Sequence, residues 1–477
     1  MKELHNSLSL AQMEIKSSIR NKTFMLMSVI LWSLLLVSFA GGFSNYQQNL
    51  KTQLHSQNIV DQEWSHQTRH PHAAAHWGTY LFKSFPFISI YDSGLTPYTG
   101  SYYRVEAHKQ HQVNAVNLAD KEAFMRMNEL NVAMTFQLFM PLLIIMLSFS
   151  AISRERESKT LLLLQAQGLT AKQLIWGKFL AHYTIILLLT LPVFILMLFT
   201  LYFDAGPQPQ LARLILLFII YALYFFILLA IVILISTFSH SSRSSLITCL
   251  SIWVVFIILL PKMVTGVADR KYPLPSSYQF EHDVKEGFDK GMGNDGNYTE
   301  RSEAYLKTFL TKYQVDSTNQ LPKNVAFGLD LLQSERYNNK VYQYYTTHLE
   351  EKIKQQQQLT DLAGFVNPLI AVRQLSMGFA GTDFHHHMDF YNHARQFRNN
   401  FNEILNKRIL EYGNHHKSEF FKESELFYKQ MNKFQYSYPT VKWILRAHHL
   451  AVLSLFIWII ITAIFIQIAH RIAFKIR

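Results

Sequence analysis

In this chain of 477 residues 49% are apolar, and the apolar residues gather into a few long runs instead of recurring with helical or strand period. That excludes an ordinary soluble domain, because about 20 consecutive apolar residues is what a hydrocarbon layer about 30 Å thick asks of a helix. The net charge of +12 does not point to nucleic acid, since Lys and Arg flank the apolar runs instead of forming one basic face, as membrane anchoring and orientation require.

Residues 1–23 predict an amphipathic interfacial (elbow) helix, with Leu8, Leu10, Met13, Ile15 and Ile19 set among Lys16, Arg20 and Lys22. A first span is read over 24–41, ending at Gly41-Gly42. It reads as a signal anchor, because no small-residue cleavage site follows it. An outer piece, 42–130, is richer in Pro, Gly and β-branched residues. The second span, 131–153, runs into Arg154, Glu155, Arg156, Glu157 and Lys159. A coupling segment covers 154–178 and the third span 179–203. A turn with Asp204, Gly206, Pro207 and Pro209 leads to the fourth span, 211–238. A polar link with His240 and Arg243 precedes the fifth, 246–267. A second outer piece, 268–445, shows helical spacing over 363–375 and 390–410. The sixth span, 446–470, is followed by Arg471, Lys475 and Arg477.

The expected fold is therefore an all-α polytopic membrane protein, with six transmembrane helices and a mainly helical head built from two insertions. Piece 42–130 is expected to pack on the later piece instead of folding alone. Lys and Arg of the short loops place both termini inside, and the Lys- and Arg-free turn 204–210 outside, so both long insertions fall on the outer face. The one cysteine, Cys249, lies in an apolar run and reads as a small core residue; no disulfide can form within the chain.

The segment 153–181, SRERESKTLLLLQAQGLTAKQLIWGKFLA, joins the second and third spans. A charged cluster is followed by a Leu run, a break at Gly168 and a new start with Thr170 as N-cap. A short helix is expected over 171–176. Such an element is a lever, able to pass force from a partner into two spans at once.

This stretch resembles the pattern of ABC type-2 exporter permeases. Glu155, Glu157, Thr160, Leu163, Leu164, Gly168, Gly177 and Lys178 hold the matching places, with Lys159 where that pattern has Gly and Gly168 where it often has Pro. Residues 70–100 and 367–406 are similar to signatures of a bacterial permease family with a large two-piece outer domain, so the resemblance spans nearly the whole chain. It implies that Glu155, Glu157, Thr160, Leu163, Leu164, Gly168, Ala171, Leu174, Trp176 and Lys178 couple the permease to a separate cytoplasmic ABC ATPase. It also implies two copies of that ATPase, which binds ATP and Mg, and a second permease subunit in a homo- or heterodimer. The surroundings would be lipid of the bacterial inner membrane, with the head periplasmic and an envelope partner possible. No cofactor is expected in this chain.

Histidines cluster in the outer pieces. His72 and His76 share a face if helical, and His385, His386 and His387 lie near Asp383, Asp389 and His393. Metal binding by His72, His76, His385, His387 or His393 is weighed against packing and capping, and packing is preferred, with Asp383 as N-cap of a helix starting near Phe384. His448 and His449 read as interface anchors, and His182 likewise. No stretch fits G-x-x-x-x-G-K-[ST], H-E-x-x-H or G-x-S-x-G, so ATP hydrolysis, metalloprotease and serine hydrolase chemistry are not expected of this chain. Beside the exporter reading stand two rivals: a mechanotransmitter that moves its head without moving cargo, and a periplasmic metal-handling membrane protein.

Overall fold

The computed structural model describes residues 2–111, 130–203, 210–320, 325–412 and 421–473. The turn expected at 204–209 and the basic residues Lys475 and Arg477 lie outside them. Six helices are long and apolar enough to cross a membrane. With one two-stranded ribbon as the named sheet of the described residues, the fold is that of an all-α polytopic membrane protein.

Helix α1 (Lys2–Arg20) leads through Asn21 into α2 (Lys22–Ser65). The Asn21 carboxamide caps α2 by accepting from Thr23 N–H at 2.9 Å. Gly41 and Gly42 do not end this helix, which runs on for 44 residues. At 1.5 Å per residue that is about 66 Å, twice the hydrocarbon thickness, so about half of α2 stands clear of the span. The reason is local: Gly lowers helix propensity by only about 1 kcal/mol, and at Gly42 a Cβ would lie 2.7 Å from the Ile90 carbonyl oxygen, so the glycine serves close packing.

Two later spans carry a widened turn, each followed by proline. Helix α4 (132–148) has a π-helical turn at Thr135–Phe139 before Pro141. Helix α9 (Ser242–Lys271) has one at Val254–Leu259 before Pro261. Proline lacks an N–H and crowds the preceding turn, which widens to relieve the clash. In this register Pro261 would have served the Phe256 carbonyl. Asn367 donates to that carbonyl instead, Nδ2 to O at 2.6 Å, as a polar group in an apolar layer demands.

Between these spans come α5 (Ser153–Glu157), α6 (Thr160–Ala166), α7 (Ala171–Phe203) and α8 (Gln210–Phe238). The outer pieces supply α3 (Pro71–Trp77) and strands β1 (Thr79–Phe82) and β2 (Tyr102–Val105), which pair antiparallel with Thr79 opposite Val105. Then follow α10 (Ser277–Lys290), α11 (Tyr298–Tyr313), α12 (Ala326–Ala363), α13 (Pro368–Ala380), α14 (Phe384–Tyr412), α15 (Glu425–Gln430), α16 (Val441–Ala447) and α17 (His449–Ala473).

Two apolar cores result. One joins α4, α7, α8 and α17, and it takes in α13 through Leu369, Ala371, Val372, Leu375 and Phe379. Helix α13, read as part of the outer piece, thus wedges into the span bundle. The second core joins Ala74, Leu81, Tyr103 and Val105 of the first piece to Phe390, Tyr391, Phe401 and Tyr428 of the second. The two insertions share one interior, so neither buries its apolar face alone.

Candidate functional site

The charged segment after α4 is held at several points. Arg156 donates to the Thr237 carbonyl at 2.8 Å and to that of Ser239, the carbonyls left free where α8 ends. A guanidinium is well placed there, since the last turn of a helix carries partial negative charge. Ser236 Oγ accepts from Ile152 N at 3.0 Å and Ser153 N at 3.2 Å. Glu157 accepts from Ser242 Oγ at 2.6 Å, beside the positive first turn of α9. Short α5 is thereby fastened to both helices of the α8–α9 junction.

Glu155 accepts from Thr160 Oγ1 and lies 2.7 Å from Lys178 Nζ on α7. Lys178 is buried and stands 3.6 Å from Glu14 of α1. Leu10 of α1 packs on Gly177, where a Cβ would lie 2.7 Å from Leu10 Cδ2. Trp176 donates to Gln467 of α17 at 3.3 Å. One knot of charges and close contacts therefore joins α1, α5, α6, α7 and α17.

The backbone explains the spacing of residues. Lys159 has φ 61 and Gly168 φ 84, both in the left-handed region that glycine occupies freely. Lys159 sits where the permease pattern has Gly, and the geometry there is a glycine geometry. Thr170 and Gln173 cap α7 reciprocally, at 3.0 and 3.2 Å. The cap expected at Thr170 is present, but the separate helix over 171–176 is not: nothing interrupts the main-chain hydrogen bonds there, and Ala171, Leu174 and Trp176 form the first turns of α7 itself. The short helix of the loop is α6.

Along α6, Leu161 is 7% exposed, while Leu162 and Leu163 are 65% and 63% exposed. Leu164 is half-buried against the span core. Thr160, Leu163, Gly168, Glu155 and Glu157 thus gather at one end of the bundle. Ala171, Leu174, Trp176 and Lys178 form the adjoining base of α7, with Ala171, Leu174 and Lys178 buried. Glu14, Arg156 and Ser242 complete the arrangement. Arg156 stood in the visible charge cluster, but the sequence carries no signal for which carbonyls it meets or for Glu14.

The histidines of the outer pieces separate into two groups. His385, His387 and His393 do not converge. His385 is half-buried beside His448, His387 is half-buried, and His393 is exposed with its Nδ1 2.7 Å from the Asp389 carbonyl. Burial, then Lys83, hold His387 down to about 4. Asp383 caps α14 at His386 N, 3.0 Å, and also receives His386 Nδ1 at 2.5 Å and His448 Nε2 at 2.6 Å. Burial works to raise the Asp383 carboxyl, but His386 and His448 outweigh it and hold it well below its usual value. His448 is thus a buried partner of Asp383, not an interface anchor, and with His386 it satisfies both oxygens of that buried carboxyl. His182 is also buried, 3.8 Å from Glu14. His72 and His76 do come together, with His108 added: their ligand atoms lie within 4.8 Å of one another, the only such group of three among the described residues. Burial first, then His76, His108 and His70, bring His72 down to about 4.

Six spanning helices, a core shared by the two long insertions and a fastened loop between the second and third spans define a multi-pass membrane protein. The family model described as ABC-2 family transporter protein matches residues 8–466, and the chain belongs to that family. It is accordingly a membrane-spanning permease component of an ABC transporter, a family whose members work with a cytoplasmic ATPase and pair as permeases. Comparison with curated proteins finds no match.

Proposed function

We propose that this chain is the permease half of an ATP-driven exporter in the bacterial inner membrane. Both termini face the cytoplasm, the head faces the periplasm, and two copies of a separate ATPase, which bind ATP and Mg, drive a pair of permeases. The ATPase docks on α6 and the neighbouring charges Arg154, Glu157 and Lys159. The observation that carries this reading is the pair of exposed leucines, Leu162 and Leu163, beside a knot that joins α1, α5, α6, α7 and α17. Force applied at α6 reaches Lys178 through Thr160 and Glu155, and so moves α1 and α7 together. Side-chain labelling tests the placement. In a Cys249→Ser background, Gln165→Cys is expected to react with an impermeant maleimide only in inverted vesicles and to be shielded by the ATPase. Labelling in right-side-out vesicles would end the proposal.

A second reading, mechanotransmission without cargo, is favoured by α2. This unbroken helix runs from the first span to Trp64, whose ring lies 4.7 Å from Phe401 and 5.3 Å from Tyr428 in the head core. A stiff rod of this kind would carry a membrane movement into the head. ATP-dependent change in spin-label distances across the head, with no substrate-stimulated ATPase activity, would favour this reading over export.

A further inference from the structure

Helix α3 places His72 and His76 one turn apart, and their Nε2 atoms are 3.2 Å apart. Two imidazole nitrogens bound tetrahedrally to one zinc ion at about 2.0–2.1 Å stand about 3.3–3.4 Å from each other. The chain then leaves α3 through Gly78 and returns along β2. A Cβ at Gly78 would lie 2.2 Å from the Val105 carbonyl oxygen, so only glycine admits this close return. Ala107 N–H donates to the Ala75 carbonyl at 2.9 Å, which fixes the next residue, His108, over the same turn of α3. His108 has φ 60, a left-handed backbone that a non-glycine residue keeps only where its surroundings hold it. Its ring centroid lies 5.1 Å from His76 and 5.7 Å from His72.

A buried carboxylate also stands behind His108, holding its backbone and close to its ring. Glu335 is buried and paired with Arg398; its Oε2 accepts from His108 N–H at 3.3 Å and stands 3.8 Å from His108 Nδ1. Carboxylates behind metal-bound imidazoles orient the ring and fix its tautomer. Phe327 packs on His72 at 5.4 Å, while His76 and His108 are exposed and leave an entry path. We propose that His72, His76 and His108 form a three-histidine site for a borderline divalent transition metal, with Zn2+ the ion whose ligand spacing the His72–His76 pair matches, His108 closing onto it and water completing the coordination. The site lies on the head, far in sequence from the ATPase-docking loop, and does not depend on that docking.

The test uses the purified full-length protein stripped with EDTA and titrated with ZnCl2 alone. Metal is counted after gel filtration, and Co2+ serves as the spectroscopic substitute. The expected result is one equivalent per chain, with a dissociation constant on the order of 1 μM or below, and the visible absorption of a four-coordinate Co2+ site. His76→Ala and His108→Ala are expected to weaken binding by more than about 100-fold, beyond what loss of an outer-shell group does. His385→Ala and His393→Ala are expected to bind as the parent does. His76→Gln keeps the exposed helix face polar; should an alanine variant lose its apo thermal midpoint, the glutamine variant decides. Absence of stoichiometric binding, or undiminished binding in His76→Gln and His108→Ala, overturns the site.

Discussion

The docking face proposed on α6 can be tested by contrast between neighbours. Leu162 and Leu163 are about two-thirds exposed, whereas Leu161 is 7% exposed. Full burial of a leucine is worth about 1.5–3 kcal/mol. A partner that covers the exposed two-thirds of each therefore gains about 2–4 kcal/mol from the pair. At about 1.4 kcal/mol per factor of ten, Leu162→Ser with Leu163→Ser is expected to weaken ATPase binding about 30- to 700-fold. The permease itself loses little, because substitutions at exposed sites usually change stability by less than about 0.5 kcal/mol. Leu161→Ala is expected to do the opposite, destabilising the permease by about 2–5 kcal/mol through a cavity under α6. The assay is the dissociation constant of the purified ATPase for the permease in nanodiscs, with the permease's unfolding midpoint measured alongside. A double-serine variant that is folded and binds within about threefold of the parent would refute the assignment of α6 as the docking face.

Three further outcomes follow from the contacts. Gly177→Leu adds a side chain where Leu10 already sits at 2.7 Å from a Cβ, so α1 is expected to be displaced, at about 1–3 kcal/mol, and to become protease-sensitive around Arg20; an unchanged digestion pattern contradicts this. Asn367→Leu removes both the donor to Phe256 O and the cap that accepts from Leu369 N at 3.0 Å. The summed loss is about 2–4 kcal/mol, read as a lower midpoint in detergent, and Asn367→Ser, which retains only a cap, is expected to lose less. For acid stability, His387 stays neutral in the fold down to about 4, against about 6.5 unfolded, so its contribution is complete above about pH 6.5 and is lost as pH falls toward 4, with a ceiling of about 3 kcal/mol. Asp383, held low, contributes above about pH 3.9 and is lost only as pH falls further. His387→Gln is expected to flatten the melting profile between pH 6.5 and 4; an unchanged slope there counts against the argument.

What could be read from the residues was set by range. Apolar runs longer than about 20 residues are a one-dimensional signal, and the six spans follow from them. Thr170 with Gln173 and Asp383 before α14 are also local, since a cap and its target lie within three residues. The length of α2 was not legible, because Gly41-Gly42 looks like a stop unless one knows that Ile90 must pack on Gly42. The place of α13 was hidden for a related reason. Its composition suits a head core and a membrane bundle equally, and only its packing with α8 and α17 decides. Glu14, the second carboxylate beside Lys178 after Glu155, lies 164 residues before it, and Asp383, the partner of His448, lies 65 residues before that histidine. Pairings at that separation leave no periodic trace.

The span bundle and the first long insertion are joined by polar contacts as well as by apolar packing, which bears on how movement would travel. Gln137 in the widened turn of α4 donates to Tyr221 OH on α8 at 2.9 Å; Tyr221 donates to Ser376 on α13 at 3.0 Å, and Ser376 to Asp92 of the outer piece at 2.6 Å. Asp92 is buried, which raises its carboxyl, and it also accepts from Gly94 N–H at 3.0 Å. Each group in this chain satisfies the next, so sliding α4 past α8 by half a helical turn would leave several buried polar groups unpaired, at about 1–3 kcal/mol each. The same reasoning applies to the knot at Lys178. Small shears within the bundle are therefore costly, while rotation of the bundle with its head as one body leaves each of these partners in place. On the proposed docking, a push on α6 would therefore be absorbed between two permease copies rather than within one, the pattern by which packed, hydrogen-bonded units convert local force into rigid-body motion.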